Sequence, residues 1–162
     1  MSHEPAQKPG KSVQEVGTPA EFLRAVEGRF GPILFDLAAN AANSVCGADY
    51  FGPGSAWGED AMVQPWRIRR GLCWLNPEFA DLGPWAAKAA EEGPLGANLT
   101  MLTPASIGST WFARHVFGKA LVLGLSPRLT FVGSTSPYPK DLMLSVFGPS
   151  VVPGFDVWRW KP

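Results

Sequence analysis

The chain has little cysteine, little histidine and no excess of charge of either sign. It holds two cysteines, Cys46 and Cys73, and two histidines, His3 and His115. A structural zinc site usually takes four such ligands and a catalytic one about three, so no metal site is expected. Two cysteines in a chain this apolar do not indicate a disulfide scaffold, and we expect both to be reduced.

Long hydrophobic runs and bulk positive charge are also missing. The longest apolar stretches, 120–125 and 143–147, are far shorter than the ~20 residues that cross a bilayer, so no membrane association is expected. Lys and Arg number 14, as do Asp and Glu, so any contact with DNA must be local. Residues 1–12 lack the apolar core of a secretion signal, which favours a cytoplasmic protein.

What is present suits one folded domain. The chain has 162 residues, of which 46% are hydrophobic, enough for a single core. Residues 1–16 are polar and without periodicity, which predicts a flexible tail followed by one domain over 17–162. Thr18-Pro19 has the form of a helix N-cap followed by proline, and the apolar spacing after it predicts a helix ending at Phe30.

Short apolar segments alternate with helical ones along the rest of the chain. This order predicts an α/β fold with a mainly parallel sheet, antiparallel C-terminal strands and helices on both faces. Residues 38–64 are small, polar and glycine-rich, and predict a long loop with one short strand or helical turn. The predicted strands are 33–36, 71–75, 98–102, 120–125, 129–132, 142–147 and an edge strand at 157–160, with helices at 84–92 and 110–117.

The tetrapeptide Asn76-Pro77-Glu78-Phe79 follows an apolar strand, where sites in such sheets gather. The side-chain carbonyl of Asn76 and the carbonyl of Pro77 are two acceptors that can hold an incoming –NH₂ group, and Phe79 can stack on the ring that bears it. Asn-Pro is also a common turn, so a purely structural role stays open. The chain has no glycine-rich phosphate loop, which excludes kinase and standard dinucleotide chemistry.

A series of short motifs resembles the phage-type DNA adenine methyltransferases, the small Dam-like family. The resemblance spans about residues 16–158 and implies a Rossmann-like fold. It also implies methyl transfer from S-adenosyl-L-methionine to the exocyclic amino nitrogen of adenine in DNA. In chain order the motifs are Thr18-Pro19, Phe35-Asp36-Leu37-Ala38-Ala39, Asn43-Ser44-Val45-Cys46, Asp49-Tyr50-Phe51, Glu59-Asp60-Ala61-Met62 with Trp66, Cys73-Trp74-Leu75-Asn76-Pro77, Pro84-Trp85, Leu102-Thr103-Pro104-Ala105 with Trp111-Phe112, and Pro127-Arg128-Leu129-Thr130-Phe131.

The tetrapeptide resembles the family's Asn/Asp-Pro-Pro-Tyr/Phe motif. That resemblance implies that Asn76 and Pro77 hold the target amine and that Phe79 stacks on the flipped base. Glu78 departs from the motif, because the family has a second proline there. We expect its carboxylate to lie beside the DNA channel, or to be tied to a nearby arginine.

The resemblance also implies a set of cofactor-binding residues. Asp36 would face the methionine part of the cofactor, although it could simply cap a loop. Asp60 would contact the cofactor's adenine and Tyr50, with Phe51, would pack on that ring, although Asp60 could be an ordinary solvated carboxylate. The full set implied for S-adenosyl-L-methionine is Thr18, Pro19, Asp36, Ala38, Tyr50, Asp60 and Asn76.

The only dense basic cluster is Arg67, Arg69 and Arg70, which we interpret as DNA-binding together with Glu78, or else as a solvated face. The loops 52–70 and 133–141 are the candidates for contacting bases. The expected partner is double-stranded DNA in a bacterial cytoplasm, with the protein encoded by a phage or prophage and acting as a monomer or homodimer. Two alternatives stay open: an inactive, methyltransferase-like binding or decoy protein, and a methyltransferase for another amine.

Overall fold

Six strands form one sheet in the structure, a computed structural model that describes residues 17–67 and 71–162. The sheet order is β1-β2-β3-β5-β4-β6. The predicted tail, 1–16, lies outside the described residues. The strands are β1 (Ile33–Asp36), β2 (Leu72–Leu75), β3 (Asn98–Pro104), β4 (Leu121–Ser126), β5 (Leu142–Phe147) and β6 (Gly154–Arg159).

Strand directions confirm a mainly parallel sheet. β1, β2 and β3 are parallel neighbours, and β5 is antiparallel to both β3 and β4. The prediction of antiparallel C-terminal strands holds for β5 alone, because β6 pairs parallel with β4. β3 and β4 lie on either side of β5. The chain that leaves β5 therefore joins the sheet as β6 at the outer edge of β4. Returning there reverses its direction relative to β5 and makes it parallel to β4.

Helices cover both faces of the sheet, as predicted. α1 (Ala20–Phe30) packs on one face, where Phe22 contacts a cluster that includes Trp74. α2 (Gly83–Glu92) and α3 (Thr110–His115) pack on the other, where their buried residues join Cys73 and Leu75. Successive strand residues point to opposite faces, so each short buried strand supplies both cores. Among the described residues, no helix is both long enough and apolar enough to cross a membrane.

Two features that the sequence predicted, an N-cap and a strand, are wrong. Thr18 is not the N-cap of α1: the cap is Pro19, without a side-chain hydrogen bond, and the Thr18 hydroxyl accepts from the Asn76 side chain instead. Residues 129–132 form no strand. Leu129 and Phe131 are buried anchors of a loop, and their segment pairs with none of the six strands.

The long segment between β1 and β2 contains the expected short elements. Residues Asp49–Phe51 run beside β1, where the Asp36 N–H donates to the Asp49 carbonyl at 3.0 Å and the Phe51 N–H to the Asp36 carbonyl at 2.9 Å. A 3-10 helix follows at Ala61–Val63. The segment therefore covers the outer edge of β1, which would otherwise be exposed.

The end of this segment is held on α2 by Glu92, which is 2% exposed. Its carboxylate accepts from the backbone N–H groups of Trp66 and Arg67 at 3.1 and 3.0 Å and pairs with the Arg67 and Lys88 side chains at 3.3 Å. Burial alone would raise the pKa of Glu92, but the N–H donors and Lys88 hold it below its ordinary value. A buried carboxylate thus replaces regular structure as the anchor of this loop.

Replacing Glu92 by Gln is expected to lower the free energy of unfolding by about 1–3 kcal/mol at pH 7, because the amide loses the charge-assisted hydrogen bonds. The difference should shrink as the pH falls below the ordinary pKa of a glutamate, because the lowered pKa means that the contribution of this carboxylate is lost as it becomes protonated in the folded state. Urea denaturation measures both effects. The exposed neighbour gives the control: Glu91→Gln should change stability by less than about 0.5 kcal/mol.

Candidate active site

The carboxyl ends of β1 and β2 bring three polar side chains together. Asp36 ends β1, Asn76 follows β2, and Thr18 lies just before α1. The parallel register places Asp36 beside Trp74, and the Leu37 N–H donates to the Trp74 carbonyl at 2.8 Å. Asp36, Asn76 and Thr18 line a recess of about 10 Å³. The sheet thus joins residues that are far apart in sequence.

The Asn76 side chain is buried and half satisfied. Its amide nitrogen donates to the Thr18 hydroxyl at 3.4 Å, while its carbonyl oxygen, Oδ1, has no hydrogen-bond partner among the described residues. Leaving a buried acceptor unpaired costs about 1–3 kcal/mol. The strand end therefore holds a buried acceptor without a partner, beside the recess that Asp36 and Thr18 also line.

Asp36 organises the loop that follows β1. Its carboxylate accepts from the backbone N–H groups of Ala38 and Val45 at 3.2 and 3.1 Å, which is the loop-capping role left open from the sequence. Burial raises the pKa of Asp36 to about 6, although both hydrogen bonds favour the ionised form. The carboxylate therefore carries a cost at neutral pH that a positive ligand group would reduce.

A larger cavity, about 430 Å³, is also lined by Ala38 and is called here the acidic cavity. Phe51 supplies an aromatic wall, and Asp60, whose carboxylate accepts from the Met62 N–H at 2.9 Å, lies on its rim. Gly52 makes the fold possible here, because a Cβ on it would lie 1.7 Å from the Ala39 carbonyl oxygen. Four carboxylates are among the residues that line it: Glu59, Asp60, Glu78 and Asp81.

Tyr50 does not line the acidic cavity. It is buried, and its hydroxyl donates to the Pro53 carbonyl at 2.9 Å. The neighbouring Phe51 lines the cavity instead, since alternate residues of an extended segment point in opposite directions. Pro19 caps α1 with its backbone, accepting from the Phe22 and Leu23 N–H groups.

A second cavity, about 570 Å³, lies on the other side of the tetrapeptide and is called here the basic cleft. Phe79 lines it, and Tyr138 packs edge-on against Phe79 with ring centroids 5.9 Å apart. Tyr138 was not singled out in the sequence, although its loop, 133–141, was. The available signal was an aromatic residue within that polar loop.

Glu78 and Phe79 line different cavities. Glu78 is exposed and faces the acidic cavity, whereas Phe79 lines the basic cleft. Arg67 pairs with Glu92, so it is not the tie to Glu78 that the sequence left open. Arg69 and Arg70 lie outside the described residues. The carboxylate that departs from the motif is thus placed away from Phe79.

Metal ligands are not clustered in the part of the chain that the structure describes. Within residues 17–67 and 71–162, no group of three or more His, Cys, Asp or Glu side chains could hold a metal ion.

Comparison with known proteins identifies the family. A sequence model described as DNA N-6-adenine-methyltransferase (Dam) matches residues 8–141, most of the chain. The chain belongs to the Dam family. Asn76, Pro77 and Phe79 lie within the matched region, whereas β5 and β6 follow it.

A curated Dam relative is similar to part of this chain. The DNA N-6-adenine-methyltransferase of Escherichia phage T1 is 28% identical over 113 residues, which cover 70% of this chain and 45% of the relative. The chain therefore spans less than half the length of the curated relative that it matches. No solved structure matches it.

The buried Asp36 predicts an unusual dependence of stability on pH. Between about pH 4 and pH 6 the folded state keeps a proton that the unfolded state has released, so raising the pH favours unfolding. Relative to Asp36→Asn, the wild-type free energy of unfolding should fall by up to about 3 kcal/mol across this interval and then stay level. Urea titrations at a series of pH values measure it; a difference that does not change with pH contradicts the burial effect.

Proposed function

We propose that this protein transfers a methyl group from S-adenosyl-L-methionine to the exocyclic amino nitrogen of adenine in DNA. The observation that supports the proposal best is the unpartnered, buried Oδ1 of Asn76 at the end of β2. Pro77 follows Asn76 directly. Phe79, two residues after Pro77, has its ring at the wall of the basic cleft. Membership of the Dam family supports the same reaction.

The residues suit the capture of an amine on a flat ring. Asn76 Oδ1 and the Pro77 carbonyl accept one hydrogen bond from each N–H of the amine, and Thr18 orients the Asn76 amide so that its oxygen faces the ligand. Pro77 has no N–H and a restricted backbone, which keeps its carbonyl in place. Both acceptors leave the nitrogen lone pair free to form the new N–C bond; the donor's C–S bond would break in the same step, its sulfur would leave as a neutral thioether, and the nitrogen would release one proton to solvent. Phe79 stacks on the flipped adenine.

The acidic cavity fits the methyl donor. Its volume, about 430 Å³, is ordinary for a small-molecule pocket, and Ala38 lines both this cavity and the recess at Asn76. The chemistry that S-adenosyl-L-methionine supplies when bound is a methyl group on a positively charged sulfur. Carboxylates on the cavity wall favour such a cation, and the lining residues within 17–67 and 71–162 include no lysine or arginine.

Individual roles within this cavity follow from position. Asp36 and Thr18 lie at the end nearest Asn76 and are assigned to the methionine part, with Ala38 as the floor between the two spaces. Phe51 and Asp60 are assigned to the adenine part. Tyr50 and Pro19 act indirectly: the Tyr50 hydroxyl donates to the Pro53 carbonyl next to Phe51, and the Pro19 carbonyl caps α1 next to Thr18.

We also propose double-stranded DNA as the substrate, in a bacterial cytoplasm and from a phage or prophage gene. The phage T1 protein with the same described activity supports this setting.

Methyl transfer is tested directly by incubating the protein with labelled S-adenosyl-L-methionine and several unmethylated duplexes. Label is expected on the amino nitrogen of adenine after digestion and chromatography. A folded protein that binds the donor but labels no DNA would overturn the proposal. Label on another amine would favour a different substrate, and failure to bind the donor at micromolar concentration would favour a binding or decoy protein.

Asn76→Ala is expected to lower the transfer rate by about a hundredfold or more, because one of two acceptors for the target amine is lost. Affinity for the donor, measured by calorimetry, should stay within a few-fold. Asn76→Asp is the matched variant: it retains an acceptor oxygen at the same position and should retain far more activity than the alanine variant. Equal activity of wild type and Asn76→Ala would remove Asn76 from the reaction.

A further inference from the structure

The basic cleft lies between α3 and the loop 133–141. Aromatic side chains form its inner wall, with Tyr138 packed between Phe79 and Phe131 at centroid distances of 5.9 and 5.7 Å. Trp111 of α3 lines the opposite side. An aromatic wall of this kind can stack on bases of any sequence.

Two positive side chains and a histidine line the cleft around this aromatic wall. Arg114 and His115 come from the last turn of α3, and Lys140 comes from the loop. In the part of the chain that the structure describes, Asp81 is the one acidic residue that lines the cleft. Arg114 and Lys140 are exposed, so both can reach a ligand at the mouth of the cleft.

The loop that carries Lys140 is held at its base. Arg128, which follows β4, pairs with Asp141 at 3.0 Å and donates to the Pro139 carbonyl at 3.4 Å. The Tyr138 N–H donates to the Leu129 carbonyl at 2.7 Å. Lys140 therefore lies between two fixed points rather than on a free loop.

The opposite side of the tetrapeptide is unsuited to a polyanion. Among the described residues, the acidic cavity is lined by four carboxylates, including Glu78, and by no basic side chain. Arg67, the described member of the basic cluster predicted from the sequence, is paired with the buried Glu92. The two sides of the segment that holds Asn76 and Phe79 thus differ in charge: carboxylates line the acidic cavity, and Arg114 and Lys140 line the basic cleft.

We infer that the DNA strand carrying the target adenine lies in the basic cleft, with its phosphates on Arg114 and Lys140 and a neighbouring base against Tyr138. This inference rests on the proposed function and adds the location of the substrate. His115 lines the same wall and contributes a donor to the backbone. Because phosphate contacts position a duplex without reading it, these residues set where the strand lies and not which sequence is chosen.

The test is a double variant, Arg114→Gln with Lys140→Gln, bound to a short labelled duplex that the wild type methylates. Fluorescence anisotropy gives the dissociation constant over a range of salt concentrations. Two lost phosphate contacts should reduce the slope of log affinity against log salt by about 2 and weaken binding at low salt by about tenfold or more. Donor affinity by calorimetry should stay unchanged.

Two controls separate location from total charge. Arg24→Gln with Arg159→Gln removes the same charge from exposed positions on α1 and β6, outside both cavities, and should leave the salt slope close to wild type. Glu78→Gln should also leave the slope unchanged. A rise in DNA affinity with Glu78→Gln comparable to the loss in the double variant would place the DNA on the acidic side and overturn the inference.

The outcomes distinguish this inference from the proposed function. If the wild type methylates the duplex and the Arg114/Lys140 variant binds it with unchanged slope, the cleft is wrong and the reaction stands. If the wild type binds the donor but neither binds nor methylates DNA, the proposed function fails and the inference fails with it. Circular dichroism checks that each variant is folded.

Discussion

The parallel register between β1 and β2 is the constraint on which the rest of the molecule depends. It places Asp36 and Asn76 at the same edge of the sheet and on neighbouring strands, although forty residues of chain separate them. A slip by one residue would turn Asn76 to the other face, because side chains alternate along a strand. Both strands are only four residues long, so the register depends on the cores that lie on the two faces.

In the loops, side-chain carboxylates satisfy backbone N–H groups that neighbouring strands would satisfy in a sheet. Asp36, Asp60 and Glu92 each accept from backbone N–H groups of the segment between β1 and β2. A buried N–H without a partner is costly, and this segment has little regular structure to satisfy its own. Three acidic residues of the chain therefore hold one long loop in a single conformation.

Elements that depend on local burial could be predicted from the sequence. Features that depend on contacts between segments distant in sequence could not. The apolar segments that became β1, β2 and β5 were recognisable because buried strands are continuously apolar. Residues 129–132 have the same character but no adjacent strand, which only the sheet order reveals. Asn76 could be found from the motif. The placement of Glu78 and Phe79 in different cavities depends on the local turn of the backbone. Tyr138 contacts Phe79 from a loop about sixty residues further along the chain.

The wall between the two cavities is a single short segment, 78–81, with Ala80 and Asp81 lining both. Any outward movement of this wall enlarges one cavity at the expense of the other. Binding on one side that shifts the wall therefore changes the free energy of binding on the other, and by thermodynamic linkage the effect is equal in both directions. Residues 78–81 are therefore the part of the chain through which occupancy of one cavity would be coupled to occupancy of the other.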